Sequence, residues 1–139
     1  MSEVRTFMTF EAPGSEPTDS ETEEPAGRPF ADALARGAEG HGLLHEAVDQ
    51  HDSYGWYFVA GTAEQRVWCM LQRSDQWLLI TKPEVPFLKR LIGKRADTGS
   101  YRRVCEALHA AALGLPGVSN IRWFTEAEFQ NQQPGAGTP

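Results

Sequence analysis

Residues 56–82 read WYFVAGTAEQRVWCMLQRSDQWLLITK, and the fold turns on how this stretch is divided. Three runs, Trp56–Ala60, Arg66–Arg73 and Gln76–Lys82, are dense in aromatic, β-branched and aliphatic residues, which suit a pleated, half-buried surface. The links between them, GTAEQ and Ser74-Asp75, are too short for a parallel crossover, which needs about a dozen residues. An antiparallel meander is therefore expected. In its middle run Val67, Cys69 and Leu71 share one face while Trp68, Met70 and Gln72 share the other, so both faces carry apolar bulk. One face cannot hide all four tryptophans, and the second face becomes a candidate contact surface.

Upstream, Phe30, Ala33 and Leu34 recur at helical spacing, Gly37, Gly40 and Gly42 interrupt, and LLHEAVD at 43–49 resumes, which predicts a broken helix pair. Downstream, Glu84-Val85-Pro86 is expected to open a short helix that Gly93 closes. Tyr101, Val104, Cys105, Leu108, Ala111, Ala112 and Leu115 then lay one apolar stripe on a longer helix, ended by Gly114 and Pro116. Asn120–Phe124 reads as another strand, and Thr125 with Glu128 forms a capping box for a last helical turn. The order is α-β-β-β-α-α-β-(α): an α+β fold, with an antiparallel three- to four-stranded sheet and helices packed mainly on one face.

A chain of 139 residues supplies one core. Its net charge of −6 is unevenly spread: residues 1–30 carry −5, whereas residues 82–103 carry +5. Residues 1–29 read as an acidic, largely disordered segment, because EAPGSEPTDSETEEPAGRP offers nothing to bury against the entropy of ordering it. Within that segment Phe7, Met8 and Phe10 either add an edge strand or dangle. Residues 30–129 form the expected domain, and 130–139 a disordered polar tail. Neither a basic, apolar leader nor a membrane-length apolar run is present in these residues, so a cytoplasmic location away from the membrane is expected.

Three groups invite chemistry. His41, His45 and Asp49 lie four residues apart and would share a stripe if the region were helical, a spacing that can hold a metal; a solvated helix flank produces the same letters, and no metal ligand is assigned. Cys69 and Cys105 both sit among apolar neighbours and read as core thiols, with no CxxC. Lys89, Arg90, Lys94, Arg95, Ser100, Arg102 and Arg103 make a basic sector. Arg102 and Arg103 fall near the start of the main helix, where the macrodipole disfavours cations unless an anion answers them. The alternatives are a solvated surface, the acidic patch of a protein partner, or a phosphate-bearing ligand. A pI near 5.2 and the absence of any nucleic-acid motif argue against nucleic acid.

No catalytic residues and no cofactor are called for. The reading is a non-catalytic cytosolic protein-binding module, inhibitor, toxin-neutralising or chaperone-like, that uses a sheet face and the basic sector. Its rivals are a small metal- or phosphate-dependent enzyme and a homo-oligomer, most simply a homodimer, without other activity.

Overall fold

The computed structural model describes residues 4–12, 28–45, 48–51, 55–63, 65–73, 76–84 and 98–139. The meander is present as β4 (Gly55–Gly61), β5 (Arg66–Arg73) and β6 (Trp77–Pro83), antiparallel throughout. Its register pairs Phe58 with Cys69 and Cys69 with Thr81, so Trp56, Phe58, Ala60, Val67, Cys69, Leu71, Trp77, Leu79 and Thr81 share one face. Every one of these is buried.

The sheet is wider than the meander. β1 (Phe7–Glu11) lies between β6 and β7 (Ser119–Phe124), antiparallel to both. Phe7, Met8 and Phe10 thus belong to an interior strand: Met8 and Phe10 are fully buried on the same face as Trp77 and Leu79, and the folded unit reaches back to Val4. At the far side, β2 (Leu44–His45) and β3 (Asp49–His51) pair one after the other with the outer edge of β4. The resulting order is β2-β4-β5-β6-β1-β7, with β3 beside β4.

Helix α1 (Arg28–Gly40) runs straight through Gly37 and buries Ala31, Leu34, Ala35 and Ala38 along one stripe. The predicted resumption of helix at 43–49 is not found. The backbone of His41 and Gly42 hydrogen-bonds back into the last turn of α1, Gly42 takes a positive φ of 86° that few other residues adopt, and the chain leaves as β2 and β3. Helix α2 (Thr98–Leu113) buries Tyr101, Val104, Cys105, Leu108, Ala111 and Ala112, the stripe read from the sequence. The expected helix at 84–93 lies outside the described residues.

Helices α1 and α2 cover the same face of the sheet, and the core sits between them and it. Phe30 of α1 packs edge-on against Trp77 at 5.2 Å and Phe10 at 5.8 Å. Helix α3 (Glu126–Gln130) starts at the predicted capping box: the Glu128 N–H donates to Thr125 Oγ1 at 3.1 Å, and the Thr125 N–H donates to Glu128 Oε1 at 2.8 Å. Those bonds and the Arg5 guanidinium 3.0 Å away hold the Glu128 carboxyl below its ordinary value. Unlike the longer helices, α3 lies on the second face, where Phe129 meets Phe7 at 5.4 Å and Phe124 at 5.8 Å.

Candidate functional site

The second face is set by the same register. One row crosses it from Asp49 through Tyr57, Met70, Ile80 and Phe7 to Phe124, and the next carries Val59, Trp68 and Lys82. Phe129 of α3 covers the β1 and β7 end of the apolar row. Among the described residues the face is partly open around β5: Trp68 is 45% exposed and Lys82 is exposed, Tyr57, Met70 and Ile80 are half-buried, and Val59 beside Trp68 is buried. Trp56, Trp77 and Trp123 are by contrast at most 4% exposed. The division of the indoles between two faces follows from strand alternation, since Trp68 alone of the four has its direction set away from the helices.

Trp68 is not a loose ring. It stacks on Tyr57 at 5.5 Å with the planes 30° apart, and the Tyr57 hydroxyl lies 3.5 Å from Asp49 Oδ2. Beyond Trp68 on the same face, Arg66 pairs with Glu84 at 3.2 Å. The result is an aromatic ledge with Lys82 on one side and Asp49 on the other.

The described part of the basic sector, Ser100, Arg102 and Arg103, does not join this ledge. Lys89, Arg90, Lys94 and Arg95 lie outside the described residues. Ser100, Arg102 and Arg103 belong to α2, which packs on the opposite face of the sheet. Helix α2 begins no later than Thr98, so Arg102 and Arg103 stand at least one turn in, where the macrodipole has faded and the argument for an answering anion weakens. Arg103 is exposed and reaches toward Gly42 at the end of α1, and Arg102 is half-buried with its charge near Cys105.

The histidine stripe is dispersed. His41 is exposed in the turn after α1, His45 falls in β2 and Asp49 in β3, so the helical geometry that would have aligned them is absent. Among the described residues no group of three or more His, Cys, Asp or Glu side chains is placed to hold a metal ion.

The two cysteines are free and fully buried in a polar knot under α2. Thr81 Oγ1 lies 2.7 Å from the Thr6 carbonyl, 2.9 Å from the Tyr101 hydroxyl and 3.9 Å from Cys105 Sγ, while the Tyr101 hydroxyl lies 3.0 Å from the Thr81 carbonyl. Cys69 Sγ is 3.7 Å from the Val67 carbonyl. Burial pushes the Cys105 thiol up to about 12 and holds the Cys69 thiol well above its ordinary value, with Cys105 adding to the shift. Burial likewise raises the Tyr101 phenol, against the opposing effect of its bond to Thr81. Thiols held protonated in this way are packing groups, not nucleophiles at neutral pH.

His109 of α2, to which no sequence pattern points, accepts the Trp123 indole N–H on Nδ1 at 3.0 Å. Partial burial lowers its pKa. Between that lowered value and the ordinary one near 6.5, the unfolded chain binds a proton that the folded chain refuses, so stability falls as pH drops below about 7 and levels off under the folded pKa. Melting curves taken from pH 7.5 to 5 are expected to show this loss, and His109→Gln, whose amide oxygen still accepts the indole N–H but does not titrate, is expected to remove that part of it. An unchanged pH profile in the variant would separate His109 from the effect.

Among the described residues no helix is long and apolar enough to cross a membrane. No protein-family model matches the chain, and neither a curated protein nor a solved structure is significantly similar to it.

Proposed function

We propose that the protein is a non-catalytic protein-binding module whose contact surface is the β4–β6 part of the second sheet face. The observation that carries this reading is Trp68: 45% exposed on a rigid strand and held by Tyr57, while the other three indoles are sheltered. An ordered, exposed tryptophan with a charged rim binds with little loss of side-chain freedom. Lys82 and Asp49 give the rim both signs of charge, suited to a partner that presents an apolar anchor between polar groups. Arg102 and Arg103 would serve a second contact on the helical layer. The module works in the cytoplasm, where Cys69 and Cys105 remain thiols. Inhibition, toxin neutralisation and chaperoning are the roles that such a surface supports without catalysis.

The test exploits a separation of effects. Trp68→Ser removes a ring stacked on Tyr57 and just over half buried, so stability is expected to fall by about 1–2 kcal/mol, small enough to leave the chain folded, while partner affinity is expected to fall about 30-fold or more, as for a hot-spot residue. Partners recovered from the native host by the wild-type chain are identified and titrated against both chains. Equal affinity for Trp68→Ser would remove the ledge from the account, and Arg102→Glu with Arg103→Glu asks the same of the helical layer. Sedimentation at two concentrations tells whether the occupant of the face is a second copy. Melts with zinc, manganese, phosphate and nucleotides address the enzyme reading, in which the true ligand raises Tm by several degrees.

A further inference from the structure

The outer edge of β7 is occupied by the chain's own residues 134–136. Trp123 donates its N–H to the Ala136 carbonyl at 2.7 Å and accepts the Ala136 N–H at 2.9 Å, an antiparallel bridge. The Arg122 guanidinium donates to the Pro134 carbonyl through Nε at 3.3 Å and Nη2 at 2.9 Å. Gly135 lies between these two contacts with φ of 65°, and a methyl group there would run into the Trp123 carbonyl and, at 2.7 Å, the Phe124 ring. The edge therefore accepts a segment under three conditions: a carbonyl facing Arg122, a glycine against Trp123 that takes a left-handed φ, and a residue with a free N–H next to it.

The hold on this segment is slight. Gln133 and Pro134 are exposed, and Gly135 and Ala136 bring no large side chain to bury. The turn that returns the segment to β7 also carries a cost, because Gln132 takes a left-handed φ of 55°, a position that favours glycine. A strand edge guarded by a few hydrogen bonds and a strained turn is a seat that another strand can take.

We propose that the outer edge of β7 is an acceptor site whose intermolecular ligand is the 134–136 segment of a second copy of this chain. Pro134-Gly135-Ala136 is the segment seated there, and each copy carries one. Reciprocal exchange remakes the bonds of Trp123 and Arg122 to the segment between copies and frees Gln132 from its left-handed φ at the loss of the Gln132 and Gln133 amide bonds back to α3, so the equilibrium is set by concentration. This proposal concerns an edge of the sheet and is independent of the Trp68 ledge.

The test uses the full chain carrying Gly135→Val, in which the segment cannot seat. A peptide of residues 131–139 is expected to bind this variant and slow hydrogen exchange at the Trp123 amide about tenfold, whereas the same peptide with valine in place of its glycine is expected to do nothing. Ala136→Pro, which deletes the bridging N–H and leaves Gly135 intact, provides a second open edge. Wild-type chains at millimolar concentration are expected to sediment partly as dimers, which Gly135→Val abolishes and Trp68→Ser leaves intact. Failure of the peptide to protect Trp123 in both folded variants would overturn the acceptor edge. A wild-type chain that stays monomeric at these concentrations, or a dimer that survives Gly135→Val, would overturn the exchange.

Discussion

Phe10→Ala is expected to cost about 3–5 kcal/mol of unfolding free energy, the range for emptying a buried phenylalanine site. Phe10 is fully buried, stacked on Trp77 at 6.2 Å and edge-on to Phe30 at 5.8 Å, so its ring joins a strand, its neighbour and α1 at one point. A small domain has only about 5–15 kcal/mol in total, so the variant should melt some 10–20 °C lower or fail to accumulate. Phe7→Ala is the internal control. Its ring is half-buried on the other face, against Phe129, and about 1–2 kcal/mol is expected there, as for a partly buried side chain. Urea unfolding of both variants with an unchanged m-value measures the contrast. Equal, near-zero effects would mean that residues 7–11 dangle. The reason the outcome should be large is topological: β1 holds the hydrogen bonds of β6 on one side and β7 on the other, so weakening it opens two edges at once.

The meander, the α2 stripe and the capping box were legible because each is a local pattern: two short links for the meander, a 3.6-residue period for the stripe, and a Thr and a Glu three residues apart for the cap. The position of β1 was not. Phe7, Met8 and Phe10 read as a short apolar run before an acidic stretch, and what makes them an interior strand is the pairing of Phe10 with Trp77 and of Met8 with Trp123, partners about 70 and 115 residues away whose register no local period encodes. The stretch after α1 failed for a related reason. Leu43, Leu44 and Val48 carry helix-like spacing, yet the open edge of β4 takes Leu44–His45 and Asp49–His51 as short strands once Gly42 has turned the chain, and tertiary pairing overrides propensity. For the site, alternation was enough to place Trp68 apart from Val67 and Cys69. It was not enough to show that the arginines of α2 lie across the sheet from it, because that requires knowing which face the helix covers.

Gly37 looks like a helix breaker in the sequence and behaves as a packing device in the fold. Helix propensity alone says that Gly37→Ala should stabilise α1 by about 1 kcal/mol. The added methyl would collide with the Ala111 Cβ of α2 and lie 3.3 Å from its Cα, and neither atom is the free end of a flexible side chain. Relief requires the helices to separate, at an overpacking cost of about 1–3 kcal/mol for one methyl and more for a branched chain. Crowding is expected to offset or exceed the gain: Gly37→Ala should destabilise by about 0–2 kcal/mol once the propensity gain is deducted, and Gly37→Leu by about 3 kcal/mol or more, since pushing α1 away also uncovers Leu34 and Ala38. The decisive measurement is the double variant Gly37→Ala with Ala111→Gly, which moves the methyl from one helix to the other and restores the close approach. Its loss should be smaller than the sum of the two single losses by about 1 kcal/mol or more, the coupling expected of residues in direct contact. A Gly37→Ala chain that melts higher than the wild type would show instead that α1 and α2 stand further apart than this contact requires.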